Sequence, residues 1–515
     1  MIVVYHLNHK IVEVVSDKNQ KIDFDATDTI ASGIQKLAVL FPAEKIVWCH
    51  FNYKQNLNLE TLNLVFHHKK MLLSFCPEAC DYFYGKIGYA DESPYIKINK
   101  EVSFSTWQMS SLVGVIHAET ILGVKNEIPL DKDFDFYLCS IAKLVMPLGV
   151  ECFSEPSLLQ NRIDNSVQKA NDYTLFRFVK QHYKTRWVFL LLFNLMIYEC
   201  KFPFFPFLVS LFFKRRSNTN INLESIEVQS SRKVVDKKTI DVLIPTIGRK
   251  DFLYDFLIDL SHQTVLPKKV IIVEQNPVVD STTELDYIQQ EKWPFEIQHL
   301  FIHQSGACHA RNLALKEISS EWVFFADDDI RIEPNFLEET LSNCEVYGSK
   351  VVSLSCLQKG QNKIYNHVFQ WVTFGSGCSL VLAECLKGCE FSMSYEFGYG
   401  EDGDFGMQLR NKGYDILYLP KPEIVHLKAP IGGFRTKPKL KWQDEKIQPK
   451  PSPTIFLYFT LHYTKQQILG YKTILFLKNY NFKTVQNPIQ YFKTMNKKWK
   501  VSELWAQHLK NQNEI

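Results

Sequence analysis

The chain has 515 residues, which allows two to four domains at about 150 residues each, and its 46% of hydrophobic residues can build a large core. A formal net charge of only +3 excludes a chain-wide nucleic-acid binder. The opening MIVVYHLNHK has neither a basic start nor a long apolar run and is not read as a secretory signal.

Residues 1–160 are the first predicted domain. The chain's twelve Cys show no metal or redox spacing. Cys76/Cys80 and Cys385/Cys389 are C-x3-C, and all are expected to be reduced thiols of a cytosolic protein. Residues 161–216 are predicted to be helical. They include RWVFLLLFNLMIYECKFPFFPFLVSLFFKRR, Arg186 to Arg216, whose apolar run is broken by Glu199, Lys201, Pro203 and Pro206. Each half falls short of the roughly 20 residues a spanning helix needs. Arg186 and the Lys214-Arg215-Arg216 cluster flank it as interfacial anchors would. The pattern predicts in-plane membrane contact for Trp187 to Phe213, with a buried helical hairpin as the alternative.

Residues 217–238 are polar and mixed in charge and read as a linker. From residue 239 to 435 strands alternate with helices. TIDVLIPT, KKVIIVEQ, FEIQHLFIHQ and WVFFA are short buried strands, and Lys250 to Gln263 and Ala310 to Ile318 have helical spacing. That alternation predicts an α/β domain with a mostly parallel sheet, whose ligands sit at the carboxyl ends of its strands. Residues 436–515 are a basic, aromatic helical tail, with nine Lys against two Glu from Thr464 onward. Contact with an anionic membrane and packing on the core are both open for it.

The N-terminal region echoes the α/β domain. KIVWCHFNYKQNLNLETL (Lys45 to Leu62) resembles WVFFADDDIRIEPNFLEETL (Trp322 to Leu341), and SSLVGVIHAETI (Ser110 to Ile121) resembles GSGCSLVLAECL (Gly375 to Leu386). DFDFYLCSIAKLV, from Asp133, resembles DGDFGMQLRNKGY, from Asp402. Three matches in one order predict a duplicated domain. Between Ile46 and Asn58 the first copy has no Asp or Glu, and Lys132 stands in the place of Glu401, so that copy is expected to be degenerate and non-catalytic.

The chemistry concentrates where WVFFA runs into Asp327, Asp328 and Asp329. Three adjacent carboxylates need a counter-charge, and Mg²⁺ or Mn²⁺ shared with a phosphorylated ligand supplies one. An acidic surface loop is the bland alternative. Glu401 and Asp402 open a predicted helix among Gly398, Gly400 and Gly403, which would let the loop approach a sugar. Acids that merely complement the helix dipole are the alternative there. His426 ends the apolar strand EIVHL, and Trp371 precedes the loop FGSGCS; core roles are open for both.

Taken together, VLIPTIGR, IIVEQNP, SGACHARNLAL, FFADDDI, GYGEDGDFGMQLRNKGY and PEIVHLKAPIGGFR resemble the motifs of the family 2 glycosyltransferases of the GT-A fold, over about Thr239 to Phe434. The resemblance implies a GT-A catalytic domain preceded by a degenerate GT-A-like domain. It implies an inverting, metal-dependent transfer from a nucleotide-sugar, expected to be a UDP-sugar, to a glycan or lipid-linked acceptor. The implied setting is bacterial surface polysaccharide assembly, peripheral at the inner face of the cytoplasmic membrane. Pro245, Thr246, Arg249, Glu274, Arg311, Asp327 and Asp328 would bind the donor. Asp329, with Asp327 and His426, would hold Mn²⁺ or Mg²⁺. Asp402 would be the base, and Glu401 and Trp371 would bind the acceptor. A non-catalytic carbohydrate-binding protein of the same fold and a nucleotidyltransferase are the alternatives.

Overall fold

The structure is a computed structural model. It describes the chain except residues 77–81, 84, 162–168, 431–438, 482–484, 486 and 513–515. The chain divides into two compact units, Met1–Arg232 with Thr464–Leu475, and Lys233–Tyr463 with Phe476–Ile515.

The N-terminal unit is built on seven strands: β1 (Ile2–Leu7), β2 (Lys10–Ser16), β3 (Lys45–His50), β4 (Met71–Phe75), β5 (Phe104–Ser105), β6 (Val113–His117) and β7 (Glu151–Ser154). They run in the order β2-β1-β3-β6-β4-β7-β5. Helices α1 (Ile30–Leu40), α2 (Leu59–Val65), α3 (Ala118–Val124) and α4 (Phe134–Val145) belong to the same unit. Val47, Trp48, Val113 and Val115 are wholly buried, as expected of strands covered on both faces.

Helices α5 (Asp172–His182), α6 (Arg186–Glu199) and α7 (Phe204–Ser210) follow. Val188, Leu191 and Leu195 of α6 and Phe207 of α7 join the unit's core, while Phe189, Phe193, Ile197, Phe205 and Phe212 stay exposed. The apolar segment is therefore neither a buried hairpin nor a span. One stripe packs and the other faces out. Among the described residues no helix is long and apolar enough to cross a membrane.

The C-terminal unit has nine strands: β8 (Ile240–Thr246), β9 (Lys269–Gln275), β10 (Glu296–Ile302), β11 (Trp322–Ala326), β12 (Ile330–Arg331), β13 (Val351–Gln358), β14 (Phe369–Gln370), β15 (Cys378–Leu382) and β16 (Leu417–His426). Their order is β10-β9-β8-β11-β15-β13-β16-β12, with β14 on β16. Helix α8 (Lys250–Ser261) buries Leu253, Phe256, Leu257 and Leu260, the single face that its spacing predicts. Helices α9 (Tyr287–Gln290), α10 (Ala307–Leu315), α11 (Phe336–Tyr347) and α12 (Glu401–Asn411) complete the domain. Asp241, at the foot of β8, accepts bonds from the Ser319 and Ser320 amides and so fixes the turn into β11.

Beyond it lie α13 (Pro453–His462), α14 (Lys465–Lys478) and α15 (Pro488–Gln512). Met495, Trp499, Ser502 and Ala506 of α15 are buried at helical spacing, and Trp499 packs edge-on against Phe456 of α13 at 4.8 Å. The tail is thus a packed helix. The expectation of twelve free thiols fails at Cys76, which is disulfide-bonded. Cys80 lies outside the described residues, and the other ten Cys are free.

The predicted duplication is present in the backbone. Lys45 pairs with His117 as Trp322 pairs with Leu382, and Cys49 pairs with Val113 as Ala326 pairs with Cys378. His50 therefore follows Cys49 in the place where Asp327 follows Ala326.

Candidate active site

The five residues of β11 are fully buried, and the chain emerges at the carboxyl end of the strand with its three carboxylates. Two arginines and a histidine meet them. Asp328 turns inward, where Thr246 Oγ1 (2.7 Å) and the Arg249 guanidinium (2.6 Å) donate to it. Arg249 also reaches Asp329 at 3.3 Å. Asp329 accepts from the Ala429 amide at 2.8 Å and lies 3.3 Å from His426 Nε2. Arg311 Nη2 donates to Asp327 at 3.1 Å. Asp327 alone of the three is open, with a side chain 38% exposed against 3% and 4% for its neighbours.

Burial pushes the Asp328 carboxyl up to about 6, although Arg249 and Thr246 pull it back. Burial acts on Asp329 too, but the bonds from His426 and the Ala429 amide outweigh it and hold that carboxyl down. The same contact with Asp329 raises His426. The arrangement is a row of unlike groups: an open carboxylate, a buried one locked to an arginine, and a second buried one paired with an imidazole.

Asp402 comes to this row from α12. The Ser376 amide donates to its Oδ1 at 3.3 Å. The next residue, Gly377, lies so close to the Asp327 carboxylate that a Cβ there would strike it. One short loop, Ser376–Gly377, therefore touches both acids. An aromatic nest sets their spacing. Phe325 of β11 meets Phe374 at 5.4 Å and Phe405 of α12 at 5.8 Å, and Phe391 stacks on Phe405 at 4.3 Å. Burial raises the Asp402 carboxyl against the pull of Arg311. Glu401 goes further, to about 7, through burial and then the neighbouring Asp402. Arg311 is pulled down by burial, yet Asp327 and Asp402 outweigh that and keep it charged.

The glycines around the motif have another job than the one expected. A Cβ at Gly398 would press on Thr454, and one at Gly403 on Tyr458, both on α13. They admit the tail helix rather than a ligand. Asp404 is likewise structural, held by His462 Nε2 at 2.7 Å.

Pro245 and Thr246 end β8. Glu274 ends β9 with its oxygens engaged by Thr283 Oγ1 (2.5 Å), the Glu284 amide (3.0 Å) and His299 Nε2 (2.9 Å). It anchors the loop after β9, and those bonds hold its carboxyl down against burial. The start of α10 is also engaged: Glu396 accepts from the Cys308 amide at 3.2 Å and the His309 amide at 2.8 Å. The anion favoured at that helix N-terminus is here an internal carboxylate. Asn312, one residue after Arg311, donates to and accepts from the Phe391 backbone at 2.7 and 2.8 Å.

Trp371 packs among aromatic rings. Its amide bonds the Ile416 carbonyl at the start of β16, and its ring meets Tyr418 at 5.0 Å and Phe369 at 5.4 Å. The second half of PEIVHLKAPIGGFR, from Ile431, lies outside the described residues. Ser376, Gly377 and Glu396 were not singled out from sequence. The only signal was the glycine-serine composition of FGSGCS.

Residues 241–381 match the family model described as Glycosyl transferase family 2. This is a family 2 glycosyltransferase domain. The match begins in β8 and ends in β15, so it takes in the aspartates and stops before Asp402. No curated protein matches the sequence. Among solved structures, S. aureus TarS 1-349 is 20% identical over 37% of this chain and 60% of that chain, with a TM-score of 0.31. The same protein in complex with UDP-GlcNAc is 16% identical over 50% of this chain and 71% of that one, with a TM-score of 0.33. The glycosyltransferase domain is thus defined by its topology and family model; the chain spans less than two thirds of the first of these structures.

Proposed function

We propose that the C-terminal unit transfers a sugar from a nucleotide-sugar, a UDP-sugar, to a hydroxyl of a glycan acceptor with inversion at the anomeric carbon. The observation that carries the reading is the Ser376–Gly377 loop, which sets the Asp402 carboxylate beside Asp327 at the carboxyl end of β11. A donor diphosphate needs cationic partners on one side of the anomeric carbon, and the acceptor needs a base on the other.

The donor set fits Mn²⁺ or Mg²⁺. Asp327 is open and Asp329 is buried, and both are hard oxygen ligands. His426 already bonds Asp329, so it orients that carboxylate and becomes a ligand where the bond opens. Among the described residues no group of three such side chains is placed to hold a metal ion, so diphosphate oxygens would have to complete the shell. Bound there, the cation would neutralise the leaving diphosphate.

The chain's own residues do the rest. Arg249 holds Asp328 and Asp329 apart from one another's charge, and Thr246 fixes Asp328 beside the nucleoside pocket. Arg311 steadies Asp327 and lies in the field of Asp402, so donor and base sides share one guanidinium. Asp402 accepts the acceptor hydroxyl's proton as that oxygen bonds the anomeric carbon. The bond from that carbon to the diphosphate breaks, and the nucleoside diphosphate leaves with the electron pair. Glu401, next to it, hydrogen-bonds the acceptor. The acceptor is lipid-linked and the enzyme peripheral at the cytoplasmic membrane face, a reading supported by the exposed apolar residues of α6 and α7.

Thermal-shift titration of the full chain against a panel of sugar nucleotides, with and without Mn²⁺, tests the reading. Stabilisation by one of them that requires Mn²⁺ is expected. No stabilisation by any sugar nucleotide would sink it.

A further inference from the structure

We propose that α6 and α7 seat the N-terminal unit in the plane of an anionic lipid bilayer, with the apolar stripe among the acyl chains and basic groups at both ends on lipid phosphates. The inference deepens the membrane reading above by naming the face, its orientation and the lipid chemistry.

A stripe at Phe189, Phe193 and Ile197 runs along α6 with 44–53% of each residue exposed, opposite the buried Val188, Leu191 and Leu195. Four-residue spacing makes this one continuous face rather than scattered exposure. Phe205 and Phe212, 75% and 89% exposed, extend the apolar surface along α7 and just beyond it. A helix of 14 residues is about 21 Å long, short of the roughly 30 Å hydrocarbon core, so it can lie in the interface and cannot cross it.

Charge decides the occupant. The Arg216 amide bonds the Gln181 carbonyl at 2.8 Å, and Lys180 Nζ bonds the Phe213 carbonyl at 3.0 Å. The exit of the segment is thereby pinned beside its entry. Lys184, Arg186, Lys214 and Arg215, all exposed, gather at that end. The other end of α6 opens on a cleft of about 480 Å³ lined by Lys86, Lys201, Lys465, Tyr89 and Tyr198. Glu199 there pairs with Lys201, and Asp172 pairs with Lys86, so the cleft keeps a positive balance. An apolar stripe bounded by cations at both ends matches the cross-section of an anionic leaflet, where phosphates lie above acyl chains. A second copy of the chain would bring cations against cations.

Co-sedimentation of the full chain with vesicles tests this. The vesicles are phosphatidylcholine alone and phosphatidylcholine with about a third phosphatidylglycerol. Wild type is expected to bind the anionic vesicles at least tenfold better. Phe205→Ser/Phe212→Ser should lose at least tenfold of that binding, and Lys214→Ser/Arg215→Ser should lose the preference for phosphatidylglycerol. Both variants change exposed residues and should keep the wild-type melting temperature. Wild type that ignores both vesicles, or an unchanged Phe205→Ser/Phe212→Ser variant, would overturn the proposal. So would a concentration-dependent dimer that the same substitutions dissolve, since the face would then cover a second copy. Mn²⁺-dependent thermal stabilisation by a sugar nucleotide should be equal in wild type and both variants. Vesicle binding without stabilisation by any sugar nucleotide would refute the transferase reading and leave this one standing.

Discussion

The two sheets of this chain share a path of six strands and differ beside it. β1-β3-β6-β4-β7-β5 and β8-β11-β15-β13-β16-β14 run in the same order, with the same sequence of parallel and antiparallel neighbours. In the C-terminal sheet β9 and β10 continue parallel to β8, and they carry Glu274, Gln275 and the approach to α10. In the N-terminal sheet that place is taken by β2, a hairpin partner antiparallel to β1. Both β9 and β10 lack counterparts there. The serine–aspartate contact is kept: Asp135 accepts from the Ser111 amide at 2.7 Å, as Asp402 accepts from the Ser376 amide. Beside it, His6 bonds the Ser111 carbonyl at 2.7 Å and burial drives that imidazole down to about 4. The lesson is that strand packing and the serine–aspartate contact persist without counterparts of β9 and β10, because burial alone rewards them.

The sharpest way to break the comparison is to treat the two aspartates alike. Asp402→Asn should lower turnover about 10²–10⁴-fold while donor binding stays, because the amide cannot take the proton. Asp135→Asn should leave turnover unchanged. Steady-state kinetics of both variants decides it, and a comparable loss in each would make the N-terminal sheet catalytic.

Next in size is the aromatic nest that spaces Asp402 from the aspartates. Phe405 is fully buried against Phe391 and Phe374. Phe405→Ala should cost about 3–5 kcal/mol in denaturant unfolding. A cost below 1 kcal/mol, roughly the value for a surface change, would show that the nest does not hold the site.

A smaller effect separates Glu401 from its neighbour. Burial lifts its carboxyl from the ordinary 4.5 to about 7 in the folded state. The folded protein then holds a proton that the unfolded chain releases. The resulting stability is full below about pH 4.5 and is lost as pH rises through 7. Glu401→Gln removes the charge, so the variant should match wild type at pH 4 and exceed it by about 1–3 kcal/mol at pH 8. Thermal melts across that range measure it, and equal stability at pH 8 would place Glu401 in water.

Much of this was legible in sequence because it is local. WVFFA, KKVIIVEQ and TIDVLIPT are continuous apolar runs that only a covered strand tolerates, and each is a strand within a residue or two of its predicted bounds. The echo of strand, loop and helix was legible for the same reason. Its third match was not aligned correctly. Asp135, not Asp133, sits in the place of Asp402, because Asp133 is the N-cap of α4 and donors in the chain, not letters, fix the register. What sequence did not show is non-local. Glu396 on the α10 amides, Ser376 on Asp402 and Thr454 and Tyr458 beneath the motif glycines are contacts across long loops, with no periodicity to betray them.

The central claim is that the row at the end of β11 binds the donor's diphosphate through a divalent cation. Calorimetric titration of UDP into the full chain, with Mn²⁺ and then with EDTA, in wild type and Asp329→Ala, tests it most directly. The account predicts binding by wild type in Mn²⁺ that falls at least tenfold in EDTA and falls as far in Asp329→Ala. Equal affinity in all four titrations would contradict it.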